Sequence, residues 1–299
     1  MSLQTKIVET LKRILLPSGI TIVHSFPAQL YKPQPPFPSL PSFSRQRTLA
    51  VCIGTTKDMW APFIRTLARI PALLESLHPL NNYVETTIHQ AVLNLIHDLD
   101  LEEYKKDTET NTNSNFKTHN NSTTTTTNSN SNRSIQWDIR YSHQGMKANE
   151  SHLFVAFQQL ASVSGGWVYD NVSRLCLHPI HGPWVGLRAV IIFDIDYEGP
   201  NPEIPVLSIP QDSLNDIARE MDILLNKINC NETVEWLEWL RIRDMISKVG
   251  NADYCWDQWR YEMNELKYHG TFDKEILKMA IIERESGYSL VYPHNSVIE

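Results

Sequence analysis

Between Asn82 and Asp98 apolar residues return every fourth position, at Val84, Ile88, Val92 and Ile96, a spacing that gathers them on one face of a helix. The start of the chain repeats the pattern with Ile7, Leu11, Ile14 and Leu15, and Asp212 to Ile228 does so with Leu214, Ile217, Met221, Leu224 and Ile228. Thr233 to Val249 and Asp273 to Ile282 behave similarly. A further helix is predicted over Ser151 to Val163, from Leu153, Phe154, Phe157, Leu160 and Val163, and Ser164-Gly-Gly166 stops it. Short continuous apolar runs of strand length break these helical stretches. Ile20-Thr-Ile-Val23 is one, and Thr48-Leu-Ala-Val-Cys-Ile-Gly54 is another, continued by a helix from Thr55 to Leu67. Trp167 to Leu177 and Trp184 to Ile195 read as two strands of a hairpin joined by a Pro/His/Gly turn. Separated strands among packed helices predict an α+β fold.

Two stretches break the pattern. From Asp107 to about Ser134 the chain reduces to Asn, Thr and Ser, which bury too little apolar surface to offset their ordering entropy, so a disordered insertion at 107–134 is expected inside one domain spanning 1–299. Tyr31-Lys-Pro-Gln-Pro-Pro-Phe-Pro-Ser-Leu-Pro41 is expected to be extended and draped over the surface. With 299 residues, 41% of them hydrophobic, the chain can bury a substantial core. A formal charge of −7 without a basic block argues against nucleic acid as partner. No run of about 18 apolar residues is present, so no membrane span is expected. Ile7 to Leu15 reads as a domain helix and not as a leader. The four cysteines, Cys52, Cys176, Cys230 and Cys255, are scattered without a Cys-x-x-Cys pair, which sets a reducing compartment as the default.

Candidate chemistry is concentrated in Arg174-Leu-Cys-Leu-His-Pro-Ile-His-Gly-Pro-Trp-Val-Gly-Leu-Arg188. Cys176, His178 and His181 are zinc-type ligands, but a proline follows His178 and no second ligand pair appears elsewhere, so a turn-and-strand reading is favoured over a metal site. Arg188 lies inside an apolar run, where a guanidinium needs an anion: either a structural carboxylate or a ligand. Trp256-Asp-Gln-Trp-Arg-Tyr261 holds aromatics that either close a core or line a flat-ligand pocket, and Trp236-Leu-Glu-Trp239 invites the same two readings. Phosphate-loop, dinucleotide and nucleophile-elbow motifs are absent.

The order of these pieces resembles the CblC family of intracellular cobalamin-processing proteins. Cys176, His178-Pro179, Gly182, Trp184 and Arg188 carry the resemblance, followed by Trp256, Trp259 and Tyr261. Thr48-Leu-Ala-Val51 with Thr55 and Met59, Phe26-Pro27 to Tyr31, and Gln158 followed by Val163-Ser-Gly165 agree in order, over roughly residues 5 to 265. The resemblance implies a flavin-nitroreductase-like α+β fold adapted to hold cobalamin (vitamin B12) with its lower base detached. It implies an oxidoreductase activity, reductive decyanation of cyanocobalamin with FAD or FMN and NADPH as the electron source. It also implies a transferase activity, dealkylation of alkylcobalamins by glutathione. By position, Val155, Ala156, Phe157, Gln158, Val168, Tyr169, Asp170, Cys176 and Leu187 are implied corrin contacts, and Arg188 and Arg260 implied glutathione anchors. No protein residue is expected to ligate a metal. A CblD-type trafficking partner and a ligand-induced homodimer are implied as well. This chain departs from the family in carrying Ser162 in place of a frequent histidine, Glu262 in place of an arginine, and a longer region from Asn201 to Asn251. A non-catalytic cobalamin chaperone and a nitroreductase-like flavoenzyme with another substrate remain the alternative functions.

Overall fold

The computed structural model describes residues 1–114, 135–145, 148–250 and 255–286. The chain opens with α1 (Leu3–Leu15), whose Ser2 side chain accepts a hydrogen bond from the Thr5 amide and caps the helix. β1 (Ile22–Pro27) and β2 (Thr48–Thr55) follow, then α2 (Trp60–Arg69), α3 (Pro71–Glu75) and α4 (Pro79–Ser114). α4 continues beyond the periodic stretch into the first residues of the polar segment, while 115–134 lie outside the described residues. Next come β3 (Trp137–Tyr141), α5 (Phe157–Val163), β4 (Val168–Asp170), β5 (Leu175–Leu177) and β6 (Gly186–Asp196). Four helices close the described chain: α6 (Gln211–Asn229), α7 (Trp236–Val249), α8 (Met263–Thr271) and α9 (Lys274–Ser286).

The main sheet is antiparallel in the order β1-β2-β6-β3. Both of its faces are buried, which explains why β2 and β6 read as continuous apolar runs instead of alternating ones. Leu49, Val51 and Ile53 of β2, with Ala189, Ile191 and Phe193 of β6, face a core built from α1, α2 and α4. Ala50, Cys52, Val190 and Ile192 point the other way, toward Phe26, Tyr31, Leu160 and Trp167. β3 is not among the expected strands, although Trp137, Ile139 and Tyr141 alternate with the ion-paired Asp138 and Arg140, a period-two signal of an edge strand. α8 is an unexpected element too, because its polar residues mask Leu266 and Tyr268.

Two sequence expectations need correction. Trp167 to Leu177 is not one strand paired with the next: β4 and β5 pair with each other in a separate two-stranded sheet, and β6 belongs to the main sheet. The cause is local, since Asp170 Oδ2 accepts from the Ser173 amide and hydroxyl at 2.7 and 2.5 Å, and Arg174 adopts a left-handed φ of 56°, folding the run back on itself. The helix expected from Ser151 is α-helical only from Phe157. Before it the Tyr31 hydroxyl accepts a hydrogen bond from the Ala156 amide at 2.9 Å, which holds that residue at ψ 81° and outside the helix. The proline-rich stretch is not extended throughout: it turns at Pro35–Pro36, where the Phe37 amide donates to the Gln34 carbonyl at 3.1 Å, and its ends are packed, with Tyr31 and Leu40 buried.

Candidate functional site

α5 and the segment preceding it form the wall of an open pocket of about 580 Å³, lined by Ser142, Phe154, Val155, Ala156, Phe157, Gln158, Gln159, Ser162 and Tyr169. Its chemistry is largely apolar, with the Gln158, Gln159, Ser142 and Ser162 side chains as polar points, a composition suited to a large flat ligand. The wall is held from behind. Gln158 donates to the Arg174 carbonyl at 2.9 Å, Gln159 to the Lys32 carbonyl at 2.9 Å, and Phe37 from the proline-rich stretch lies 4.5 Å from the Phe154 ring. Five implied corrin contacts, Val155, Ala156, Phe157, Gln158 and Tyr169, therefore line a single pocket.

The other four implied contacts support it without lining it. Cys176 is buried, its thiol 3.7 Å from the Gln158 carbonyl, and burial pushes that thiol up to about 12, so it remains protonated. Val168 pairs with Leu177 on the β4–β5 ribbon, and Asp170 spends its carboxylate on the turn at Ser173. Leu187 packs beside Cys176 and Val155 on the same apolar cluster.

Between Cys176 and β6 the chain makes a tight turn, closed by His178 N to Gly182 O at 2.9 Å and Gly182 N to His178 O at 2.8 Å. His178 Nδ1 accepts from the Ile180 and His181 amides at 3.2 and 3.4 Å, so this ring holds the turn together. Burial, then the neighbouring His181 and His24, lowers its pKa to about 3 and keeps it neutral. A Cβ at Gly182, whose φ is 56°, would meet the Trp256 ring at 2.4 Å. Glycine is required there by the close approach as well as by the backbone. Trp256 in turn donates to the Pro179 carbonyl at 2.9 Å, Trp259 meets the His181 ring edge-on at 4.1 Å, and Tyr261 lies 5.7 Å from Trp184. The two motifs, more than seventy residues apart, thus form one packed unit. Cys176, His178 and His181 do not converge, and no group of three or more metal-ligating side chains exists among the described residues.

Arg188 occupies a special place in β6. Ile53 pairs with Ala189 and Gly54 with Leu187, so Arg188 is the extra residue of a β-bulge. A bulge re-aims a side chain that strict alternation would send elsewhere. Leu187 accordingly joins the apolar cluster behind the pocket, whereas Arg188 turns toward Tyr261, Glu265 and Tyr268. Its guanidinium folds back over Gly186, where an added Cβ would lie 2.8 Å from Nη2, and its Nε donates to Thr55 Oγ1 at 2.9 Å. The sequence question about its anion has a partial answer: no carboxylate oxygen of the described residues lies within 4.0 Å of it.

Around Arg188 lies a cluster of buried polar groups that sequence reasoning did not identify. Glu265 is 1% exposed, and neither carboxylate oxygen has a hydrogen-bond partner; His269 Nε2, 3.6 Å from Oε1, is also unpaired. Burial outweighs the attraction of Arg188 and lifts the Glu265 carboxyl to about 9, so it is a neutral acid at pH 7. Burial and the charges of Arg188 and Arg243 lower His269 to about 3. Arg243 of α7 lies with its Cζ 5.5 Å from the Trp184 ring centre. Arg260 sits at 5.6 Å from the same ring but forms a two-pronged pair with Asp244, Nε to Oδ1 at 2.6 Å and Nη2 to Oδ2 at 2.9 Å. Nothing in the sequence distinguished Arg243 from its neighbours Arg241 and Asp244; only the packing of α7 on Trp184, fixed by Trp184 Nε1 donating to Ser247 at 2.6 Å, singles it out.

Among the described residues no helix is long and apolar enough to cross a membrane. No family model and no curated protein matches the sequence. Among solved structures, the chain is similar to the crystal structure of a C. elegans B12-trafficking protein CblC, a human MMACHC homologue. Identity is 18% and the TM-score 0.51, over 92% of this chain and 95% of that one. At that identity the likeness is one of fold. The chain shares the α+β fold of that structure over nearly its whole length.

Proposed function

We propose that the protein processes cobalamin, binding the corrin with its lower base detached and removing the upper axial ligand. One observation carries the reading: within a CblC-like fold, the segment Val155 to Gln158 and Tyr169, the stretch that the resemblance assigns to the corrin, lines the open apolar pocket of about 580 Å³. In the dealkylation, the glutathione sulfur forms a bond to the cobalt-bound carbon as the cobalt–carbon bond breaks. The bonding pair stays on cobalt, giving cob(I)alamin and an S-alkylglutathione, while the thiol proton leaves to solvent. Arg188 anchors a carboxylate of the thiol, which converts an encounter between two solutes into an oriented approach. Decyanation, with electrons from NADPH through FAD or FMN, is the companion activity, and the corrin cobalt itself carries the redox chemistry. A cytoplasmic location, a CblD-type recipient and a ligand-induced homodimer belong to the same reading. Purified protein with methylcobalamin and glutathione should form S-methylglutathione with a spectral shift to reduced cobalamin. Binding without product favours a cobalamin chaperone, a reading to which the engagement of Arg260 by Asp244 lends weight.

A further inference from the structure

The longer region between Asn201 and Asn251 folds into α6 and α7, and α7 brings a second guanidinium to the polar cluster behind the β6 bulge. Arg188 feels the charge of Arg243, the two share Tyr261 as a neighbour, and both act on His269, while Arg243 also feels the carboxylate of Asp244, which is engaged by Arg260. Both side chains are half-buried. Neither has a carboxylate oxygen of the described residues within 4.0 Å. Two half-buried like charges with no carboxylate oxygen in direct contact repel one another and have lost part of their hydration, a cost that an arriving anion relieves. Glu265 does not relieve it: its two buried oxygens are unpaired, and as a neutral acid it leaves both charges uncancelled. Orphaned polar groups of this kind mark an incomplete network, one that a ligand's polar atoms can complete.

We infer that Arg243 of α7 forms, together with Arg188, a two-cation cradle for a carboxylate of the peptide-thiol co-substrate, and is thereby a binding residue for that co-substrate. The inference rests on the glutathione-using reading above. It reassigns the second cation, since Arg260 is held by Asp244, and position 262, where the family pattern has an arginine, is glutamate. The longer region thereby acquires a function, because α7 restores from a different direction the charge that position 262 lacks.

The test is calorimetric titration of the full chain with S-methylglutathione, which keeps both carboxylates but cannot react, in the presence and absence of methylcobalamin. Arg243→Ala should weaken binding by at least about tenfold, the usual worth of one charge-assisted contact, and Arg243→Lys should recover part of it. Arg241→Ala, an exposed residue on the same helix that is paired with Glu220 of α6, should leave binding unaltered and serves as the folding control. The diethyl ester of S-methylglutathione should bind weakly and equally to wild type and Arg243→Ala. The cradle is overturned if Arg243→Ala binds S-methylglutathione like wild type, or if the ester binds as well as the free acid. Wild type that takes up methylcobalamin but not S-methylglutathione also overturns it and leaves the corrin reading standing. Arg243-dependent binding in a protein that ignores methylcobalamin supports the cradle and removes the cobalamin reading instead.

Discussion

Leu187 and Arg188 are neighbours in one strand, yet they belong to two regions of opposite character. Leu187 joins the apolar cluster behind the Val155–Gln158 pocket, where the side chains are packed. Arg188 enters a polar cluster with Arg243, Glu265 and His269, where both Glu265 oxygens and His269 Nε2 are buried without a hydrogen-bond partner. A single bulge between Ile53 and Gly54 makes that division possible. The apolar region gains its stability from packing, and the polar one forgoes stability in its unpaired groups. Mutations in the two regions should therefore move stability in opposite directions.

The largest expected effect is common to both. His24 is lowered to about 4 by burial and then by Lys12, and His178 and His269 to about 3. Since these folded-state values lie below the ordinary 6.5, the unfolded chain takes up the protons. The stability they confer is present above pH 6.5 and is lost as the pH falls toward 3–4. Each ring should cost about 2 kcal/mol at pH 5, read from urea denaturation at pH 7 and pH 5. An unchanged midpoint between those pH values contradicts the neutral buried rings.

Within the apolar region, Trp167 is fully buried against the His24 ring at 5.1 Å, and Trp167→Ala should lose about 3–5 kcal/mol in the same assay. In the polar cluster the sign reverses. Glu265 has a folded-state value of about 9 against an ordinary 4.5, so it binds a proton on folding, and stability falls as pH rises between those limits. Glu265→Gln should raise stability by about 1–3 kcal/mol at pH 8 and by progressively less toward pH 5. A destabilised variant at pH 8 would mean that the carboxylate is a needed counter-ion and the cluster an ordinary ion-pair network. The smallest effect is that of Arg260→Ala, which breaks a partly exposed pair with Asp244 and should cost no more than about 1 kcal/mol.

Legibility in the sequence divides along the same line. β2, β6, α1, α4, α6 and α7 follow from the apolar pattern because each buries a continuous stripe or face, whereas the segment Val155–Gln158 is singled out only by the family resemblance. The polar cluster follows from neither. A bulge leaves no mark in a run such as Leu187 to Phe193, where Arg188 is the one charged residue among apolar ones, and Glu265 and Arg243 resemble ordinary charged positions of amphipathic helices until tertiary packing encloses them. The paired strands expected from Trp167 to Ile195 fail for a different reason: the polar turn Asp170 to Arg174 carries a side-chain cap, a signal present in the sequence that outweighs the apolar residues around it. Position 260 is close to 262 along the chain, whereas the three-dimensional neighbour of Arg188 comes from α7.

The proposed function depends above all on whether the pocket takes a corrin. Titrating methylcobalamin with the purified full chain and following its absorbance should show the shift from base-on to base-off cobalamin, saturating at one corrin per chain, and Val155→Asp should weaken that shift by placing a charge in the apolar wall. A methylcobalamin spectrum that stays base-on at saturating protein would contradict the proposed function, whatever the fold resembles.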